Sequence, residues 1–149
     1  MMKRQIPFSS LGLGLAFAAA LIVAAGRPAA AQVAIDAGAF GVNGTSDLGG
    51  IVSLQVFKTP VVPLTIDLSG AKPFGAHGVA GTADFRFTVG GTTLGAGIGA
   101  GDIGNTALYS GLYEGILAQR IIPHVAVELR FWAGPRRPGS GFAGLRFAL

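Results

Sequence analysis

The chain has 149 residues, with 25 glycines, no cysteine, and only 12% charged residues, against about 25% in an ordinary globular domain. These figures exclude a disulfide framework, and the abundance of Val, Ile, Leu and Phe excludes a disordered chain. A soluble domain with so few charges would struggle to cover its surface, whereas a barrel in lipid needs an apolar exterior.

The N-terminal segment reads as a secretory signal peptide over residues 1–31. Lys3 and Arg4 are followed by an uncharged apolar run, Leu11 to Ala25. Ala29, Ala30 and Ala31 then supply the small-residue pattern that signal peptidase recognises, which places the cut before Gln32. The run is shorter than the roughly 20 residues a spanning helix needs. No cysteine follows the cut to accept a lipid. Removing Lys3, Arg4 and Arg27 leaves eight basic residues against seven acidic ones, which supports no broad basic surface for nucleic acid. The functional segment, 32–149, is long enough for one domain.

Beyond Gln32, period-2 alternation recurs between turn-forming segments, which predicts eight strands. They run over Gln32–Gly41, Gly50–Lys58, Leu64–Gly70, Gly78–Thr88, Thr92–Gly101, Thr106–Ala118, Val125–Trp132 and Gly141–Leu149. The connections VNGTSDLG, TPVVP, AKPFGAH, VGG, DIGN, QRIIPH and AGPRRPGS are rich in Gly, Pro, Asn and Asp, and no proline falls inside a strand. One segment has a second reading. Over Thr106–Ile122, Leu108, Tyr109, Leu112, Tyr113, Ile116 and Leu117 would also form the apolar stripe of a helix, although Gly111 and Gly115 would each cost it about 1 kcal/mol.

The charges keep a strict parity. Asp36, Asp67, the pair Asp84 and Arg86, Glu114, the pair Glu128 and Arg130, and Arg146 each share one strand face, opposite apolar neighbours such as Ile35, Ile66, Phe85, Leu129 and Phe147. A β-sandwich with an apolar core would show this pattern, and so would a transmembrane barrel with an apolar outside and a charged lumen. Three features favour the barrel. Gly95, Gly97, Gly99 and Gly101 form a row suited to a narrow interior. The five acids and three arginines can pair with one another inside it. Eight strands of about 9–11 residues with short connections also fill the segment. The fold class is therefore an all-β, eight-stranded antiparallel up-and-down transmembrane barrel. Joining the last two strands sets Trp132 near Phe142, Glu128 level with Arg146 and Arg130 opposite Gly144; closure brings Asp36 near Arg146.

The chain ends Gly144-Leu-Arg-Phe147-Ala-Leu149, with a glycine, an apolar residue three on, and an apolar last residue. This resembles the terminal strand signal of bacterial outer-membrane β-barrels, and the whole segment from Gln32 resembles the small eight-stranded OmpA/OmpX-type barrels. The resemblance implies an outer-membrane location, outer-membrane lipid as surroundings, and recognition of Gly144, Phe147 and Leu149 by the barrel-assembly machinery. The sequence departs from the pattern in ending on Leu, in placing Phe142 where a polar residue is commoner, and in its short connections.

No pattern carries catalysis. His77 and His124 stand in different connections, and neither lies in a nucleophile motif with Ser69 or Ser140. Two distant histidines without cysteine do not make a metal site. The glycine row lacks the spacing and lysine of a phosphate loop, so no cofactor is expected. Arg136 and Arg137 are candidates for contact with anionic lipid. The expected role is structural or surface-interactive in the bacterial envelope, without a diffusion pore. The alternatives are a soluble periplasmic barrel or sandwich that binds a small apolar ligand and a lipid-modifying barrel enzyme. Nothing in the residues sets an oligomeric state.

Overall fold

A computed structural model describes residues 32–42, 44–75, 78–103, 109–134 and 139–149. The predicted signal peptide, His77, Arg136 and Arg137 lie outside the described residues. Eight strands follow one another: β1 Val33–Val42, β2 Thr45–Lys58, β3 Leu64–Pro73, β4 Ala80–Val89, β5 Thr92–Gly101, β6 Tyr109–Ile122, β7 Val125–Ala133 and β8 Ser140–Ala148. Each pairs antiparallel with the next, and β8 pairs back onto β1, with Asp36 opposite Arg146, to close a barrel. The sandwich alternative is thereby excluded, since closure leaves no second sheet.

Several boundaries differ from the sequence expectation. β2 starts at Thr45, not Gly50, because Gly44 takes a φ of +78° and reverses the chain at once. Thr45–Gly49 therefore pair with β1 instead of forming a loop. β3 runs on to Pro73, so a proline does fall within a strand, although at its last position, where a missing donor costs least. Lys72 consequently sits on the outer face of β3, and its Nζ donates to the Gly78 carbonyl at 3.1 Å. Between Thr106 and Ile122 the described part is strand, not helix. Gly111, at φ +101°, takes up a bulge opposite Gly99 and Ala100, and this lets β6 keep pairing with β5. At the β4–β5 hairpin Gly90 and Gly91 have φ of 61° and 91°, the double positive φ of a type I′ turn.

The chain enters and leaves at one end of the barrel, termed the terminal end, where the β2–β3, β4–β5 and β6–β7 connections also lie. The strand ends that the other four connections join lie at the far end. Just inside the far end, Phe40, Ile51, Ala71, Trp132 and Phe142 form the apolar core cluster. Phe40 stacks on Trp132 with ring centroids 5.7 Å apart and meets Phe142 at 4.9 Å. These rings share the parity of Asp36, Glu128 and Arg146, so they fill the lumen and close it from that end.

Glycines set the interior spacing. A Cβ on Gly144 would stand 2.5 Å from the Ala37 carbonyl and from the Phe142 ring. One on Gly99 would overlap the Gly81 carbonyl and lie 2.8 Å from Thr82 Cα. Gly70 and Gly115, on the outer face, have nothing within 4 Å of that position. Gly144→Ala and Gly99→Ala should therefore each destabilise the barrel by about 1–3 kcal/mol in urea unfolding from lipid or detergent, as overpacked interiors do. Gly70→Ala and Gly115→Ala should leave the midpoint nearly unchanged.

Candidate functional site: a charged and filled lumen

The central third of the lumen is built from side chains that alternate inward from every strand except β5. β1 supplies Asp36, β2 Ser53, β3 Asp67 and Ser69, β4 Asp84 and Arg86, β6 Glu114, β7 Glu128 and Arg130, and β8 Arg146. β5 supplies its glycine row. Gly97, opposite both Asp84 and Glu114, leaves the space their carboxylates occupy: a Cβ there would come within 2.6 Å of Asp84 Oδ1 and 3.0 Å of Glu114 Oε2.

All eight charges singled out from the sequence meet in one connected network. Arg130, fully buried, is its hub: Nε reaches Glu128 at 2.5 Å, Nη1 reaches Glu114 at 3.0 Å and Asp84 at 3.3 Å, and Nη2 reaches Asp36 at 3.2 Å. Arg86 binds Glu128 with both terminal nitrogens, at 2.9 and 3.2 Å, and its Nε lies 3.2 Å from Asp67. Such a two-bond fork adds geometric specificity to the attraction. Arg146 lies 2.8 Å from Asp67 and 3.4 Å from Asp36. Two serines join the groups. Ser69 donates to Asp84 at 2.6 Å, and Ser53 lies 3.0 Å from Ser69 while accepting from Arg130 and Arg146.

The expected register between the last two strands is corrected. Glu128 stands opposite Gly144, Arg130 opposite Phe142, and Arg146 opposite Ala126. The shift is two residues, an even step that keeps every charge on its face, so parity alone could not detect it. In the observed register Phe142 stands opposite Arg130 on β7 and Phe40 on β1, so its ring joins the Phe40–Trp132 stack and lies over Gly144, the one inward position of β8 without a side chain. Arg146 therefore approaches Glu128 only diagonally, at 3.6 Å. The Asp36–Arg146 pairing at closure occurs as a direct cross-strand pair.

Gly144, Phe147 and Leu149 lie along and just beyond the closing strand. Gly144 faces the lumen beside Gly38, Phe147 points outward, and the Leu149 amide donates to the Val33 carbonyl at 2.8 Å. The apolar luminal residues Phe40, Ile51, Trp132 and Phe142 and the bridging Ser53 and Ser69 were not singled out as part of the site. Their signal was present, since each shares the parity of a charged residue on its own or the paired strand.

Together these features define a closed eight-stranded barrel with a packed, ion-paired interior and an apolar outer face. No protein-family model and no curated protein matches the chain. Among solved structures it is similar to Neisserial surface protein A (NspA), whose crystal structure aligns over 78% of this chain and 94% of that one, at 15% identity and a TM-score of 0.38.

The network predicts unequal coupling. Arg130→Ala removes the hub from four carboxylates and should cost about 3–5 kcal/mol of stability, the scale for an orphaned buried charge. In double-mutant cycles read by denaturant unfolding, Arg146→Ala should couple more strongly to Asp67→Asn than to Glu128→Gln. Equal coupling would contradict the register observed here.

Proposed function

We propose that the chain spans the outer membrane of a bacterial envelope as a lipid-embedded barrel, with a structural or surface-interaction role and neither a diffusion pore nor catalysis. The observation that carries this reading is the inversion of polarity between the two faces. Every strand presents large apolar side chains outward, among them Ile35, Val52, Ile66, Phe85, Ile98, Tyr113, Phe131 and Leu145. The outward positions of the strand interiors bear no charge; Lys72, at the far end of β3, is the outermost exception. Water makes such a surface a liability, whereas a hydrocarbon layer requires it.

The interior supports the same reading. A soluble carrier of apolar ligands would need apolar walls around a cavity. Here the lumen is ion-paired at its centre and packed with aromatic rings towards the far end, which favours a filled interior over a pore. Ser69 is held inside that lumen on Asp84, while His124 is exposed at the β6–β7 turn, an arrangement that favours the non-catalytic role. The proposal includes export by a cleaved signal peptide and assembly through the Gly144–Leu149 strand. It also gives Arg136 and Arg137, in the sequence between β7 and β8, anionic head groups to meet.

Cell fractionation of the tagged full chain tests the location: recovery in the outer membrane with heat-modifiable gel mobility is expected, and recovery in osmotic-shock fluid would overturn it. The faces provide a second test. Ile98→Arg or Leu117→Arg should cost about 2–4 kcal/mol if lipid surrounds the belt, and Val89→Arg, next to the Gly90–Gly91 turn, about 0–1 kcal/mol. Equal tolerance at the three positions, measured by unfolding from vesicles, would count against lipid on the outside.

A further inference from the structure

The two longest strands, β2 and β6, have 14 residues each, and at the terminal end β2 with its partner β3 runs past β1, and β6 with its partner β7 runs past β5. In a closed ring of eight they are four strands apart in either direction, so the two extensions stand on opposite sides of the barrel. They are built alike. Each carries a bulge near its end, between Gln55 and Phe57 in β2 and between Arg120 and Ile122 in β6. An exposed cation sits on each, Lys58 and Arg120. Each leads into a proline-containing turn, at Pro60 and Pro63 or at Pro123. Bare apolar side chains then top each one: Val61 is 90% and Val62 49% exposed, and Ile121 and Ile122 are 59% and 57% exposed.

Backbone hydrogen bonds hold both tips in place. Thr59 donates its amide to the Leu64 carbonyl at 3.1 Å and its hydroxyl to Val62, and Thr88 donates to Pro63 at 3.0 Å. Arg120 donates its amide to Gly91 at 2.8 Å. The tips are therefore ordered surfaces, and they continue the apolar belt through Phe57, Phe87, Leu117 and Val127.

The exposed charged side chains at this end have one sign. Of the seven acidic residues in the chain, five lie in the lumen and two, Asp47 and Asp102, belong to the far end. No acidic side chain shares the terminal end with Lys58 and Arg120, and neither cation forms an ion pair among the described residues.

We propose that the β2–β3 and β6–β7 hairpin ends are a pair of anchors that insert into the head-group layer of the leaflet at the terminal end and select anionic phospholipid there. The valines and isoleucines enter the boundary between head groups and acyl chains. Lys58 and Arg120, exposed at the rim opposite Thr65 and Ala126, reach the anionic groups just above. Two anchors on opposite sides resist tilting in a way that one could not. The inference rests on the lipid-facing reading of the belt.

The absence of cysteine from the chain makes the test direct. Val61→Cys and Ile122→Cys variants of the full barrel, labelled with a fluorophore, are reconstituted into phosphatidylcholine vesicles doped with nitroxide-labelled phosphatidylglycerol or nitroxide-labelled phosphatidylcholine. Ile98→Cys serves as the belt control, and heat-modifiable mobility shows that each variant is folded. Both tips should be quenched, and more by phosphatidylglycerol. Replacing either Lys58 or Arg120 by Gln should reduce the local phosphatidylglycerol enrichment at that anchor about fivefold, the worth of one cation at a charged surface. Folded barrel with equal quenching by the two lipids would overturn the anionic selectivity. Water-exposed labels at both tips, with the Ile98 label in hydrocarbon, would overturn the anchors and leave the proposed function standing. A water-exposed label at Ile98 would overturn both.

Discussion

Four carboxylates converge on the guanidinium of Arg130, and each comes from a different strand or strand position: Asp36 from β1, Asp84 from β4, Glu114 from β6 and Glu128 from its own β7. Taking such groups out of water costs several kcal/mol per ion unless their partners are in place. Those partners are in place only when the sheet has closed on itself, because β1 and β4 reach Arg130 across the lumen and not along the sheet. The network therefore ties charge satisfaction to closure. It also discriminates between registers, since a slip of one residue would turn the charges of a strand outward and the apolar residues inward.

The remaining interior follows from fitting long charged side chains into a narrow cylinder. An eight-stranded barrel has room for little more than its own side chains. β5 answers this by offering glycine at four successive inward positions, and Gly97 in particular makes room for Asp84 and Glu114. Towards the far end the same geometry is met with rings. Phe40 lies over Gly49 and Phe142 over Gly144, so each of these two rings is matched by a residue without a side chain. Charge at the centre and aromatic packing towards one end together fill these parts of the lumen with side chains.

A packed polar interior inside an apolar shell sets the chemistry of the lumen apart from that of the outer surface. The belt between the rims meets the surrounding medium uniformly, so distinctions along the barrel arise at its ends. At the terminal end Lys58 and Arg120 stand without an acidic side chain, whereas towards the far end Lys72 accompanies Asp47 and Asp102, and Arg136 and Arg137 fall in the sequence that joins β7 to β8. The two ends thus differ in the charged side chains they carry.

Much of this was legible in the residues. Strand number, the face each charge occupies, and the pairing of Asp36 with Arg146 at closure follow from a period of two and from the order of the chain, and both are local properties. Alternation in Val125–Trp132 is enough to place Glu128 and Arg130 on one side, whatever the rest of the fold does. The inward aromatic residues were legible in principle by the same rule, but Phe142 looks like a departure when only polar residues are expected inside. What sequence did not determine is any quantity that depends on an even offset between strands. Arg146 faces Asp67 and Asp36 closely and Glu128 only diagonally because β8 pairs with β7 at an offset that sets Arg146 opposite Ala126, while its pairing with β1 sets Arg146 opposite Asp36 and Phe142 opposite Phe40. Likewise, whether Thr106–Ile122 would become helix or strand depended on neighbours. In isolation its stripe suits either form, and the open edges of β5 and β7, together with the bulge at Gly111, made the strand the only arrangement that pairs its backbone on both sides.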